Sequence, residues 1–304
     1  MDKKRIFVFL LFFLAVVGII KIHYYLTKGF RIQKVIYQHP MQEDQRENQD
    51  VSYFQMPYHY VGKGRQVYVF ASSDEKYVIK LIRDHKYRMP LWVKYLSHFH
   101  LLTASHKQML LEQKERYKRA MQSYAIAKNE LFQEVNLCFS HFEKTEECIN
   151  TKLSLFDYFH RKMKIDLDET AFCIQKKACP IKDVLLSLKR KKDDQKALWM
   201  IEKTLEKISL RINRDILNRD LSNILTNFGY DGEDVFEMDI GSFYKEEAPL
   251  SYRRKVLELK QFVQPLELFV KKHFPQMAYA LEDKIFLLIQ HWEQDEKQNE
   301  LYDY

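Results

Sequence analysis

Two aspartates nineteen residues apart, Asp220 and Asp239, with side-chain amides between them, are the densest chemical feature of the chain. They lie in the stretch from Asn213 to Gly241, NRDILNRDLSNILTNFGYDGEDVFEMDIG. Asp239 closes an alternating run, Val235 to Met238, and precedes Ile240 and Gly241. A carboxylate at a strand end can reach a hard divalent cation such as Mg²⁺, which takes oxygen ligands. Asn223 and Asn227 lie three and seven residues after Asp220. Asp215, five residues before Asp220, offers a third register.

A second constellation lies upstream. Tyr60-Val61-Gly62-Lys63-Gly64-Arg65-Gln66-Val67-Tyr68-Val69 is followed by Tyr77-Val78-Ile79-Lys80, and Gly62 and Gly64 have no Cβ to keep a phosphate from the backbone. The first run fits G-x-G-x-x-G-x-V with Val67 at the third glycine, and the second occupies the place of V-A-I-K. Asn218-Arg219-Asp220 and Asp239-Ile240-Gly241 then stand where H-R-D-x-x-x-x-N and D-F-G would follow. In this order the motifs resemble the protein-kinase-like superfamily, over roughly residues 53 to 275. The whole layout resembles membrane-anchored kinase-like proteins of chlamydial type.

The resemblance implies an ATP- and Mg²⁺-dependent phosphotransferase acting on a hydroxyl acceptor of unspecified kind. It places Gly62, Gly64 and Lys80 on the nucleotide, Asp239 with Asn227 or Asn223 on the metal, and Asp220 at the acceptor hydroxyl as catalytic base. It also calls for a helical Glu paired with Lys80. Glu134 and Glu130 are the candidates, with Glu134 preferred because it lies nearer the helix end. The departures are Val67 for glycine, Asn218 for histidine, the Asp-to-Asn spacing and the lack of an A-P-E after Asp239. They lean toward small atypical kinases, or toward the alternative of an inactive pseudokinase serving as a membrane-tethered binding module.

The elements that must position these residues follow from periodicity. Gln66 to Ala71 and Lys76 to Ile82 alternate around a turn at Ser72 to Glu75, and with the aromatic run Tyr53 to Tyr60 they predict a three-stranded meander. Ser105 to Val135 repeats apolar residues at three and four, which predicts a helix in the αC position. Lys152 to Phe156 and Thr170 to Gln175 read as the last two strands of the small lobe, before a hinge at Lys176 to Pro180. Helices are expected over Ile181 to Leu188, Asp193 to Ile212, Leu250 to Val263 and Pro265 to Glu293, and a hairpin over Phe228 to Met238. The fold class is α+β: a two-lobed kinase-like fold with a small antiparallel sheet and αC helix, then an abbreviated helical large lobe, preceded by one transmembrane helix. The divisions expected are an anchor and flank at 1–38, a polar linker at 39–52, the small lobe at 53–179 and the large lobe at 180–304.

The anchor expectation rests on Ile6 to Ile20, fifteen residues without a polar side chain, preceded by Lys3, Lys4 and Arg5 and followed by Lys21, Tyr24 and Tyr25. With Leu26 the span matches a bilayer's hydrocarbon depth, with Lys21 snorkelling. No small-residue cleavage signature follows, so an uncleaved single-pass anchor is expected, with the domain beyond residue 38 soluble once detached. Lys28, Arg31 and Lys34 balance the leading cations, so charge asymmetry selects neither side of the membrane.

Length suits one catalytic-type domain plus this appendage. Only seven Gly and seven Pro among 304 residues argue for a largely helical chain. A net charge of +7 suits an anionic partner, with nucleotide and membrane expected and no strong nucleic-acid motif. Cys138, Cys148, Cys173 and Cys179 have no C-x-x-C or zinc-like spacing and read as small buried thiols, although their even number permits disulfides.

Overall fold

The computed structural model describes residues 3–26, 28–37, 51–90, 92–93, 95 and 103–302, so most of the expected linker lies outside the described residues. The chain is mixed α and β and divides into two compact units. The first comprises Met1–Gln113 and Phe139–Ile174; the second comprises Lys114–Cys138 and Gln175–Tyr304. Residues 114–138, expected with the small lobe, therefore belong with the second unit.

The first unit begins with helix α1 (Lys3–Leu26). From Lys4 to Ile22 its mean hydropathy is 2.6, and it is long and apolar enough to cross a membrane. The helix closes on Gly29, whose φ of 76° turns the chain and whose N–H donates to Tyr24 O at 3.0 Å. The next residues belong to the unit's interior. Phe30, Val35 and Tyr37 are buried, Phe30 packs edge-on against Tyr68 and Phe70, and Ile36 bridges Thr170. The boundary expected at residue 38 thus needs correction: the flank up to Tyr37 is part of the fold, because three apolar side chains there have a sheet face to cover.

That sheet has seven strands, in the order β4-β7-β3-β2-β1-β5-β6. The expected meander is present as β1 (Tyr58–Lys63), β2 (Val67–Ser72) and β3 (Tyr77–Ile82), all antiparallel. Tyr53 does not join β1, since Ser52–Phe54 forms a short 3-10 turn and buries Phe54 against Phe139 and Phe172. Strand β4 (Leu137–His141) follows Glu134 as a return strand, and the expected pair over 152–175 is three strands: β5 (Lys152–Phe156), β6 (Lys162–Asp166) and β7 (Phe172–Lys176). The missed strand β6 is a partly exposed hairpin partner whose Lys-Met-Lys-Ile-Asp carries too few apolar residues to stand out.

Helix α2 (Ala104–Glu130) is shorter than expected at its C-terminal end; its portion from Lys114 on, with buried Ala120, Ser123, Tyr124 and Ala127, opens the second unit. There β8 (Cys179–Pro180) pairs with β10 (Phe228–Tyr230), which pairs in turn with β11 (Val235–Glu237), while β9 (Ile216–Asn218) pairs with β12 (Phe243–Lys245). Helices α3 (Ile181–Lys191), α4 (Asp194–Asn213), the single turn α5 (Ile224–Asn227), α6 (Tyr252–His273) and α7 (Ala278–Tyr302) enclose one apolar core. Asp193 caps α4 by accepting the Lys196 N–H at 3.1 Å. Helix α6 runs through Pro265, where two helices were expected. The carbonyl that Pro265 cannot bond belongs to exposed Gln261, where water can take over, and the helix ends instead at Phe274-Pro275.

All four cysteines are free, but only Cys173 is buried, and Cys148 and Cys179 are exposed. The expectation of buried thiols therefore holds for one of them.

Candidate functional site

In the second unit, pairing of β9 with β12 sets Asn218 opposite Phe243 and brings the Asn218-Arg219-Asp220 corner beside the segment that follows Asp239. Asn218 is fully engaged. Its N–H donates to Glu258 Oε1 at 2.9 Å, its side-chain amide donates to Glu237 Oε1 at 2.6 Å, and its Oδ1 accepts the Asp220 N–H at 2.8 Å. The Arg219 N–H donates to Ser242 O at 2.9 Å, and its guanidinium lies over the Tyr244 ring at 4.4 Å. The corner is thus fixed through Asn218 and Arg219, and the aspartate's carboxylate is left half-buried.

That carboxylate gathers both candidate asparagines. Asn223 donates to it at 2.9 and 3.1 Å and Asn227 at 3.2 Å, while the Ser222 hydroxyl lies 3.3 Å away. The one-turn helix α5 makes this possible: it starts right after Asn223 and ends at Asn227, so residues four apart return to one side. Each amide spends its nitrogen on Asp220 and keeps an oxygen for another partner. Asp239 is exposed beyond the end of β11, with Oδ1 accepting the Gly241 N–H at 3.1 Å. Ser123 of α2 holds the turn after it, donating to Ile240 O at 2.7 Å and accepting the Phe243 N–H at 2.6 Å.

Beneath this corner lies a charged cluster that motif reading misses. Arg211, Glu237 and Glu258 are each about 95% or more buried, with Arg211 3.4 Å from Glu237 and 3.5 Å from Glu258. Arg211 also donates to Ile216 O at 2.9 Å. Burial pushes the Glu237 carboxyl up to about 7 against the pull of Arg211 and Asn218, and the charges of Asp239 and Glu258 push the same way. One signal was available: Arg211 and Glu258 occupy core positions of amphipathic helices, between Ile208 and Ile212 and four before Phe262.

The two carboxylates considered for Lys80 have partners within the second unit. Glu134 accepts from Arg214 at 2.5 Å and Glu130 pairs with Lys245 at 2.5 Å. Lys80 itself belongs to the first unit, half-buried in the middle of β3 opposite Val69. Gly62 lies at an irregularity in the β1–β2 pairing, and Gly64 N–H donates to Val67 O at 2.9 Å to close the hairpin. A Cβ at Gly62 would meet nothing within 4 Å, so this glycine leaves open space on the hairpin.

Among the described residues no three His, Cys, Asp or Glu side chains converge as a metal cage. A carboxylate and amide oxygens are donors of the kind that Mg²⁺ takes beside waters and substrate phosphate oxygens. A groove of about 560 Å³ along α4 and α7, lined by Trp199, Glu206 and Arg214 among others, includes none of the candidate residues.

No protein-family model matches the chain. No curated protein matches it either. Among solved structures it is similar to the bifunctional kinase-methyltransferase WbdD, at 14% identity and a TM-score of 0.35, over 84% of this chain and 47% of that one. The chain spans about half the length of that protein, and an overlay this loose carries no argument about the site.

Proposed function

We propose that the chain is a membrane-anchored phosphotransferase of kinase-like fold that uses Mg²⁺-ATP and a hydroxyl acceptor. The observation that carries this reading is Asp220 held by Asn223 and Asn227 on a fixed corner, with Asp239 exposed beyond the neighbouring strand. Asp220 accepts the acceptor's hydroxyl hydrogen, and its two amide partners fix the carboxylate's direction before substrate arrives. Asp239 and an amide oxygen of Asn227 or Asn223 would hold the cation, which would supply charge neutralisation on the transferred phosphate. Lys80 and the Gly62–Gly64 hairpin take the nucleotide's phosphates. Positioning and charge neutralisation then supply the rate, and no covalent nucleophile is required.

Mg²⁺-ATP is expected to raise the melting temperature of the full chain in detergent, because a ligand that binds only the native state stabilises it by mass action. Lys80→Ala should remove most of that shift, since a charge-assisted contact to phosphate contributes roughly 1.5 to 3 kcal/mol. An unchanged shift in the variant removes Lys80 from the site.

The two aspartates should fail differently. Asp239→Asn takes a full charge from the cation's shell and should weaken both Mg²⁺-dependent nucleotide binding and turnover. Asp220→Asn should leave nucleotide binding nearly intact and lower turnover roughly 10²-fold or more. Isothermal titration with an ADP-release assay separates them, and equal losses of binding in both variants would sink the division of roles.

The second reading is a pseudokinase that binds without transfer. The ion pairs of Glu134 with Arg214 and Glu130 with Lys245 favour it, because they occupy the carboxylates considered for Lys80. A chain that binds Mg²⁺-ATP and phosphorylates no protein, sugar or lipid hydroxyl would establish it.

A further inference from the structure

Five cations of the first unit gather where α1 ends. Lys63, at the tip of the β1–β2 hairpin, donates to the Tyr24 hydroxyl at 3.2 Å and lies 4.8 Å from that ring's centre. Lys34 donates to Gly29 O at 2.6 Å. Arg83 donates to Gly64 O at 3.0 Å and covers the Tyr68 ring at 5.0 Å, and Lys86 donates to the Arg65 carbonyl. Lys63, Arg65 and Lys86 are exposed. Burial and then neighbouring cations hold the Lys34 and Lys86 ammonium groups below their usual range: Arg31, Arg83 and Lys63 act on the first, Arg83, Arg65 and Lys63 on the second. These charges repel one another.

We propose that Lys34, Lys63, Arg65, Arg83 and Lys86 form a collar around the exit of α1 that binds anionic phospholipid headgroups and seats the β1–β2 hairpin on the membrane surface. The inference rests on reading α1 as a membrane span. Tyr24 and Tyr25 are exposed at the end of that span, where amphipathic rings sit at headgroup level, and the collar is in contact with Tyr24. A basic cluster beside a span is attracted to an anionic leaflet over about a Debye length, roughly 8 to 10 Å.

Strand register separates this surface from Lys80, although the β1–β2 hairpin itself carries both Lys63 and the glycines of the nucleotide reading. Lys63 pairs with Tyr68, and Tyr68 with Leu81, so these side chains share the face that Phe30 covers. Lys80 pairs with Val69, one residue along, and so belongs to the opposite face. The collar and Lys80 can therefore fail independently.

The test reconstitutes the full chain in nanodiscs of phosphatidylcholine alone or with phosphatidylserine, and reads acylation of Lys63 and Lys86 by mass spectrometry with hydrogen exchange across residues 58–72. Phosphatidylserine is expected to slow acylation roughly tenfold and to protect the hairpin amides, with both effects lost at high salt. Lys63→Gln combined with Arg65→Gln should abolish the lipid-dependent protection of the hairpin, whereas Lys80→Ala should preserve it. Equal rates in the two lipid compositions would overturn the collar and leave the anchor standing. The same slowing of Lys86 acylation, outside the glycine hairpin, by inorganic phosphate in neutral discs would also overturn it, as a soluble-anion site. A chain that fails to enter neutral discs would overturn both the anchor and the collar.

Discussion

A chain beginning at Lys28 is expected to fold cooperatively, whereas one beginning at His39 should aggregate or melt without a sharp transition. The eleven residues that separate them carry Phe30, Val35 and Tyr37, which are 3%, 0% and 6% exposed. Burying a large apolar side chain contributes about 1.5 to 3 kcal/mol, so losing three costs about 5 to 9 kcal/mol before any cavity term. That rivals the whole stability of an ordinary domain, about 5 to 15 kcal/mol. Two bonds go with them, Tyr68 Oη to Gly29 O at 2.8 Å and the Tyr37 N–H to Glu169 O at 2.7 Å. Thermal melts of the two truncations decide it: matching sharp transitions would show that residues 28–37 only decorate the sheet.

The second large effect is expected at Arg211. Arg211→Ala leaves Glu237 and Glu258 buried without their cation, and breaking a buried pair from one side costs about 3 to 5 kcal/mol. The loss should be greater at pH 8 than at pH 5, because protonation relieves a stranded carboxylate. In the wild type, Glu237 adds a pH dependence of its own. Its folded value is raised from 4.5 to about 7, so between those limits the native state holds a proton that the unfolded chain has released. Stability from this group therefore falls as pH rises through that window and is flat above it, a change of about 3 kcal/mol. Glu237→Gln should flatten the slope. Denaturant midpoints across pH 5 to 8 measure both, and an Arg211→Ala penalty equal at the two ends would mean that only packing was lost.

What the sequence disclosed depended on how local the signal was. The second and third meander strands, α4 and the hairpin at 228–238 lie within a residue or two of their expected places, because period and turn residues act over a few positions. The bonding of Asp220 to both asparagines is equally local, since one helical turn closes it, yet the sequence offered the two only as alternative metal ligands. Three things were not local. Phe30 to Tyr37 read as a flank because the sheet face they cover lies more than thirty residues away. Glu134 and Glu130 looked suited to a strand lysine until Arg214 and Lys245, more than 75 residues on, appeared beside them. Arg211 and Glu258 were hidden in plain amphipathic patterns, where period marks a buried position and says nothing of what charge it must meet.

Neither unit is one continuous run, and that constrains how the molecule can be made. The first is completed only by Phe139–Ile174, after residues 114–138 of the second have already been synthesised. At roughly 5 to 20 residues per second, residues 114–138 wait several seconds for α4 and α6 to emerge. During that wait Ala120, Tyr124 and Ala127 have no finished core to enter. Until those helices emerge, the second half of α2 presents apolar side chains for which its own unit has as yet no finished cover.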